Sequence, residues 1–373
     1  MRILLLLNIL NGGVIMNNMM FSVPFNNHNS TLIEILKLKK MGENKIREIY
    51  LSVPQEYSGS GRIIEEIETN KFLETIENIH KEGLRVNLVL NSTCEGAEWY
   101  FSEVINKKID FLNRMHNTYG VEAVTIANPL YIQEISRLLP DIEICASVLC
   151  DIDSVQKAQY FKKAGANTIT PDVNINRNLP LLKTIKKTTN LQIKLMANEG
   201  CLHKCPLRKF HFNYISHQSK ELTPIKGDAF FANCTRISLN DNTQILKSGW
   251  IRPEDLPQYS EVTNYFKIAG RSRPKSHVVR TVRAYLEQRW DGDLLDILCS
   301  SLNKLSLEYG ANLDNKALGQ EDNFFSRITS SDENSIETYC KEMAKKLIRF
   351  GVVTPEKLDD LGHHDLAKAL RLS

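Results

Sequence analysis

"EAVTIANPLYIQEISRLLPDIEICASV" occupies residues 122–148, and its hydrophobic period changes twice along its length. "EAVTIAN" (122–128) and "IEICASV" (142–148) are short apolar runs of strand length. Between them "YIQEISRLL" repeats its apolar residues at helical spacing. A strand, a helix and a second strand joined by short links make a parallel β–α–β unit.

The same unit recurs in both directions. Upstream, "MMFSVPF" (19–25) precedes "STLIEILKLKKMG", in which Ser30 is placed to cap a helix and Gly42 to end it. "IREIYLSV" (46–53) leads through a Gly/Ser-rich loop to "KFLETIENIHKEG", and "RVNLVLN" (85–91) leads to "EVINKKIDFLNRMHNTYG". Downstream, "IEICASV" is followed by "SVQKAQYFKKAG", and "NTITPDV" (167–173) by "LPLLKTIKKTT". "LQIKLMAN" (191–198) opens into a cysteine-bearing segment, and "YFKIAGR" (265–271) is followed by "SHVVRTVRAYLEQRW". Eight strands alternating with helices over residues 19–291 predict an α/β fold, a (β/α)8 TIM-like barrel. An open doubly wound sheet is the weaker alternative, because no G-x-G-x-x-G turn follows the first strand.

Two regions break the repeat. Residues 199–264 stand where a single helix is due, and an insertion that long in a compact domain is usually functional. Beyond Trp290, "GDLLDILCSSLNKL" and "SIETYCKEMAKKLIRFG" read as amphipathic helices, and "TPEKLDDLGHHDLAKALRL" as a shorter one. The expected organisation is therefore a disordered leader (1–18), the barrel (19–291) and a helical C-terminal extension (292–373). The apolar run at residues 3–7 is interrupted by asparagine and glycine too soon to span a membrane. Lys and Arg number 47 against 44 Asp and Glu, a balance that argues against bulk nucleic-acid binding. Eight scattered cysteines do not make a disulfide framework and point to a reducing, cytoplasmic setting.

Parallel strands of a barrel all end on one face, where the chemistry sits. Cys94 follows the third strand in "LNSTC"; Cys201 and Cys205 follow the seventh; Cys234 lies in the insertion in "FFANCTR". Four thiolates on that face suit a [4Fe–4S] cluster, or a structural zinc as the alternative. Cys150 is a rival to Cys94 as fourth ligand. Cys145 faces a packed interior, and Cys299 and Cys340 read as buried structural thiols on helix faces. A radical-SAM arrangement is excluded because Arg208 stands where the third cysteine belongs. Glu199, at the end of the seventh strand, is a candidate general base. Arg271, ending the eighth, is placed to grip a carboxylate or phosphate. "RKFHFNY" mixes basic and aromatic residues as RNA-stacking surfaces do, though burial of the insertion accounts for it better. There is no H-E-x-x-H motif and no legible Ser–His–Asp order.

"NEGCLHKCPLRKFHFNYISH" (198–217), with the later "FKIAGR", resembles the collagenase-like peptidases of family U32 and their non-proteolytic relatives. The resemblance implies a barrel whose loops hold an iron–sulfur cluster, with Cys201 and Cys205 as ligands, Cys234 a third, and Cys94 added from its place on the barrel. It also implies an oxygen-independent hydroxylation of a small molecule or RNA, with prephenate as oxygen donor and a small anionic substrate. The glycine-rich signature of the peptidase-labelled members is not visible here, so collagenase-type proteolysis is not expected. The alternatives are a metal-dependent peptidase, and a non-catalytic partner subunit that docks a protein through its C-terminal helices.

Overall fold

The computed structural model describes residues 18–39, 43–221, 228–321 and 323–351. The expected leader up to residue 17, Gly42 as a helix end, and the helix expected at 354–372 lie outside them. Every strand foreseen in the sequence forms. In chain order they are β1 (Met20–Pro24), β2 (Lys45–Ser52), β3 (Arg85–Leu90), β4 (Ala123–Ile126), β5 (Glu143–Ala146), β6 (Thr168–Ile169), β7 (Gln192–Ile193 and Leu195–Met196) and β8 (Tyr265–Lys267). All neighbouring pairs are parallel.

β7 closes the barrel by dividing its hydrogen bonds. Gln192–Ile193 pairs with β6, and Leu195–Met196 pairs with β8. At the junction the Lys194 amide donates to Ile169 (2.9 Å), while the Ala197 amide donates to Lys267 (2.9 Å). The sheet runs β7-β6-β5-β4-β3-β2-β1-β8 and returns to β7, with no free edge.

Side chains alternate across each strand, and the two faces carry different chemistry. Phe21, Val23, Ile49, Leu51, Val86 and Leu88 point outward into one apolar core shared with the helices. The inward residues include a polar network. Glu48 Oε1 accepts from Ser22 (2.6 Å), Asn87 (3.1 Å) and Lys194 (2.7 Å), and the Thr125 hydroxyl donates to Asn87 (2.7 Å). β2 and β7 are not neighbours, so the Glu48–Lys194 contact crosses the lumen.

Helices cover the outside at Asn29–Leu38, Thr69–Lys81, Ser102–Tyr119, Pro129–Leu138, Val155–Lys163, Leu179–Thr189 and Lys275–Leu286. Asn128, Ser154 and Asn178 cap three of them by accepting first-turn amides. Ser30 does not cap. His28 precedes that helix without a side-chain bond, and Ser30 lies inside the first turn.

The insertion folds into helices Arg208–Glu221, Ala229–Asn240 and Thr243–Lys247 and a 3-10 stretch at Pro253–Tyr259. In the extension, the continuous helix expected over 292–305 is broken. A 3-10 turn at Leu294–Asp296 is followed by a helix that starts only at Ser301. Asn198 causes the break: its carbonyl accepts the Cys299 amide (2.9 Å), and its side chain donates to the Ile297 carbonyl (3.2 Å). Ser300 takes φ 60° as the chain leaves that anchor. Helices Asn315–Gly319, Phe324–Ile328 and Glu333–Leu347 follow, with an antiparallel pair of Asn312–Leu313 and Ile348–Arg349. Leu294, Leu298, Leu302 and Leu305 belong to the same core as the strands, so the extension packs directly onto the barrel.

Candidate functional site at the barrel mouth

Cys201, Cys234 and Cys299 line one cavity of about 250 Å³ at the C-terminal ends of the strands, together with Arg62, His211 and Phe212. Cys201 leaves β7 directly, and Cys234 comes from helix Ala229–Asn240. Cys299 arrives from the extension on the Asn198 anchor. It was expected on a helix face; it is buried, but in the connection between two elements, with its thiol donating to the Ala269 carbonyl (3.3 Å).

Cys205 lies beside Cys234, and the two thiols shift each other. Cys234, with the Leu207 and Arg208 amides at the start of helix Arg208–Glu221, lowers the Cys205 thiol below its usual range despite burial. Cys205 and burial push Cys234 up. Burial and the Glu199 charge push Cys201 up to about 12, and burial raises Cys299 to about 11.

Glu199 is 2% exposed and fully engaged. It pairs with Arg62 (3.0 Å) and accepts from the Ser300 hydroxyl and from the Cys201 thiol (3.4 Å). Burial opposes its ionisation, but Arg62, Arg208 and these bonds outweigh it and hold the carboxyl below its usual range. Its present bonds orient Cys201 and Ser300.

Arg62 was not found from the sequence, because what makes it part of the site is distant in the chain. Its loop is held by Glu95, which accepts from Ser58 (2.6 Å) and the Gly59 amide (2.9 Å) and pairs with Lys108 (2.6 Å). Asn91 accepts the Gly61 amide (3.1 Å). The strand-end residues Asn91, Asn128 and Asp172 each accept a backbone amide through a side-chain oxygen, in loop and cap bonds. A second unforeseen pair is His211 Nε2 with Asp228 (2.8 Å), beside the same cavity.

Arg271 was expected to end the eighth strand, but β8 stops at Lys267 and Arg271 is buried in the turn that follows. It donates to the Ser52 hydroxyl and lies over the Tyr50 ring, and burial lowers it to about 10. Cys94 lies on the mouth face, after β3, but is not among the residues lining the cysteine cavity. Cys150 points elsewhere, its thiol donating to Ala127 (3.3 Å). Among the described residues, no three His, Cys, Asp or Glu side chains converge as ligands of a single metal ion. Cys201, Cys234 and Cys299 share one cavity, and Cys205 lines the neighbouring one.

A family model for peptidase family U32 matches residues 34–224, which include Glu199, Cys201 and Cys205. An uncharacterized protease of Methanocaldococcus jannaschii is 30% identical over 324 residues, covering 85% of this chain and 94% of that protein. The chain belongs to peptidase family U32. A U32 peptidase of known structure superposes on 69% of this chain and 95% of its own with a TM-score of 0.52 at 18% identity, which supports the shared barrel. Cys234, Arg271 and Cys299 of this U32 chain lie beyond the matched segment. Among its described residues, no helix is long and apolar enough to cross a membrane.

Proposed function

We propose that this U32 chain is an iron–sulfur barrel enzyme that modifies an anionic substrate without molecular oxygen. The observation that carries the reading is a group of thiols at the mouth: Cys201, Cys234 and Cys299 line one cavity, and Cys205 lies beside Cys234. Soft thiolates suit iron–sulfur ligation. Cys299 replaces Cys94 as fourth ligand here, because it lines the cavity and Cys94 does not. A bound cluster would supply electron transfer or a Lewis-acidic iron. The chain's own contribution is to orient Cys201 through Glu199, to hold Arg62 over that carboxylate, and to screen the cavity from water with Phe212. A small acid, prephenate among them, is the proposed donor or substrate, drawn by Arg271, Lys267 and Arg62.

The test is iron and sulfide retention in single variants purified without oxygen. Cys201→Ala, Cys205→Ala, Cys234→Ala and Cys299→Ala should each lose the cluster, while Cys340→Ala and Cys94→Ala keep it. Loss in Cys94→Ala with retention in Cys299→Ala would restore Cys94 as the fourth ligand.

One observation favours a second reading, that of a thiol peptidase. Cys205 is the activated thiol, and His211, bonded to Asp228, stands close enough for its charge to help lower Cys205. The relative's name, protease, agrees with it. His211→Ala separates the two. It should leave iron content unchanged under the cluster reading, and abolish cleavage of a peptide panel under the peptidase reading.

A further inference from the structure

The Cys299 sulfur is surrounded by nitrogen donors. Asn198 Nδ2 donates to it (3.4 Å), and His277 Nε2 lies 3.8 Å away. Burial raises the thiol, and the Arg273 guanidinium beside the sulfur pulls it back down. Other mouth thiols meet oxygen instead. The partners of Cys150 are the Ile126 and Ala127 carbonyls, and those of Cys201 are the Glu199 carboxylate and the Ser300 hydroxyl. A neutral thiol is a weak acceptor, so three donors around one are poorly used. A negatively charged sulfur would use them fully.

These donors are held in place by bonds of their own. Asn198 keeps its nitrogen toward the sulfur because its Oδ1 accepts the Ala269 amide (2.7 Å). The same nitrogen donates to the Ala269 carbonyl (3.0 Å) and the Ile297 carbonyl (3.2 Å). Arg273 donates to the Ser300 carbonyl (3.1 Å), one residue beyond Cys299. His277 lies in the first turn of helix Lys275–Leu286 and is 4% exposed. Among the described residues its ring has no hydrogen-bond partner besides the Cys299 sulfur. As a thiol, Cys299 donates to the Ala269 carbonyl, and that carbonyl keeps Asn198 as a donor once the sulfur gives up its proton. The barrel thus supplies the donors, and the extension supplies the sulfur.

We infer that Asn198, His277 and Arg273 are positioning residues that steady the negative charge of the Cys299 sulfur when it ligates a cluster, and so raise the cluster's reduction potential. The inference rests on the cluster reading and gives a role in it to three residues that carry no thiol. Hydrogen bonds and positive charge at a ligating sulfur favour the reduced state, which fixes the direction of the effect.

Anaerobic redox titration of the full chain, with iron and sulfide analysis of each sample, tests it. His277→Phe keeps an aromatic ring without the donor, and Arg273→Met keeps an apolar stem without the charge. Each should hold as much iron and sulfide as the parent and shift the midpoint potential to a lower value. The double variant should shift it further. His277→Gln restores an N–H and should lie between His277→Phe and the parent, a recovery that altered packing would not give. A parent protein without iron and sulfide would overturn the cluster reading and this inference together. Full iron in Cys299→Ala, or unshifted potentials in His277→Phe and Arg273→Met, would overturn this inference and leave the cluster reading standing. Should His277→Phe fail to hold iron, Arg273→Met decides alone, and an unshifted potential there overturns the inference.

Discussion

Glu48 and Lys194 meet in the barrel lumen 2.7 Å apart, each with no exposed surface. Burial alone would raise the Glu48 carboxyl, but Lys194, Ser22 and Tyr265 bring it down to about 2. A carboxyl lowered in the folded state adds stability that is complete above its ordinary value and is lost as the pH falls toward 2. Glu48→Gln leaves Lys194 buried without its counter-charge and should cost about 3–5 kcal/mol in urea unfolding at neutral pH. It should also remove the Glu48 share of the acid dependence between pH 4.5 and 2. Lys267 behaves oppositely. Burial, then repulsion from Lys194 and Arg271, brings it down to about 7. Its unfolded amine titrates near 10, so the folded protein is most stable above that pH and loses stability as the pH falls through 7. Lys267→Met should therefore flatten the stability profile between pH 7 and 10 and raise stability at pH 7; an unchanged slope would show that Lys267 is solvated. The thiols Cys201, Cys205 and Cys234 could be grouped from sequence because strand order places them on one face. Arg62, Arg208 and the His211–Asp228 pair could not, since each acquires its role from partners far away in the chain.

At the scale of elements, the strands were legible because each is a short apolar run between longer helical patterns, and the regular alternation selects strand over buried helix. The stretch 292–305 was misread for the complementary reason. Its local pattern is helical throughout, and the break comes from Asn198, about a hundred positions away. Gly200 makes this junction tight. A Cβ there would lie 2.5 Å from the Cys299 carbonyl and 2.8 Å from Leu302. Gly200→Ala should thus destabilise the fold by roughly 1–3 kcal/mol, the usual range for overpacking, and shift Cys299. A labelling experiment would read the second effect as faster alkylation of Cys299 than in the parent. Unchanged stability and labelling would mean that the extension is not seated on Gly200 as described.

Across the whole molecule, the extension completes both the apolar core and the thiol set. Leu294, Leu298 and Leu302 are fully buried against the barrel, and Cys299 enters the mouth from the same segment. A chain ending at Trp290 should expose that surface and fail to give a cooperative thermal transition; a sharp melt would make the extension a separate unit. An iron–sulfur cluster at the barrel mouth of this U32 chain is what we propose. The most direct measurement is visible absorption with iron, sulfide and zinc analysis of the full-length protein purified without oxygen. The account predicts a brown protein with about four iron and four sulfide per chain, bleached by air. A colourless protein with no sulfide, or with one tightly bound zinc, would contradict it.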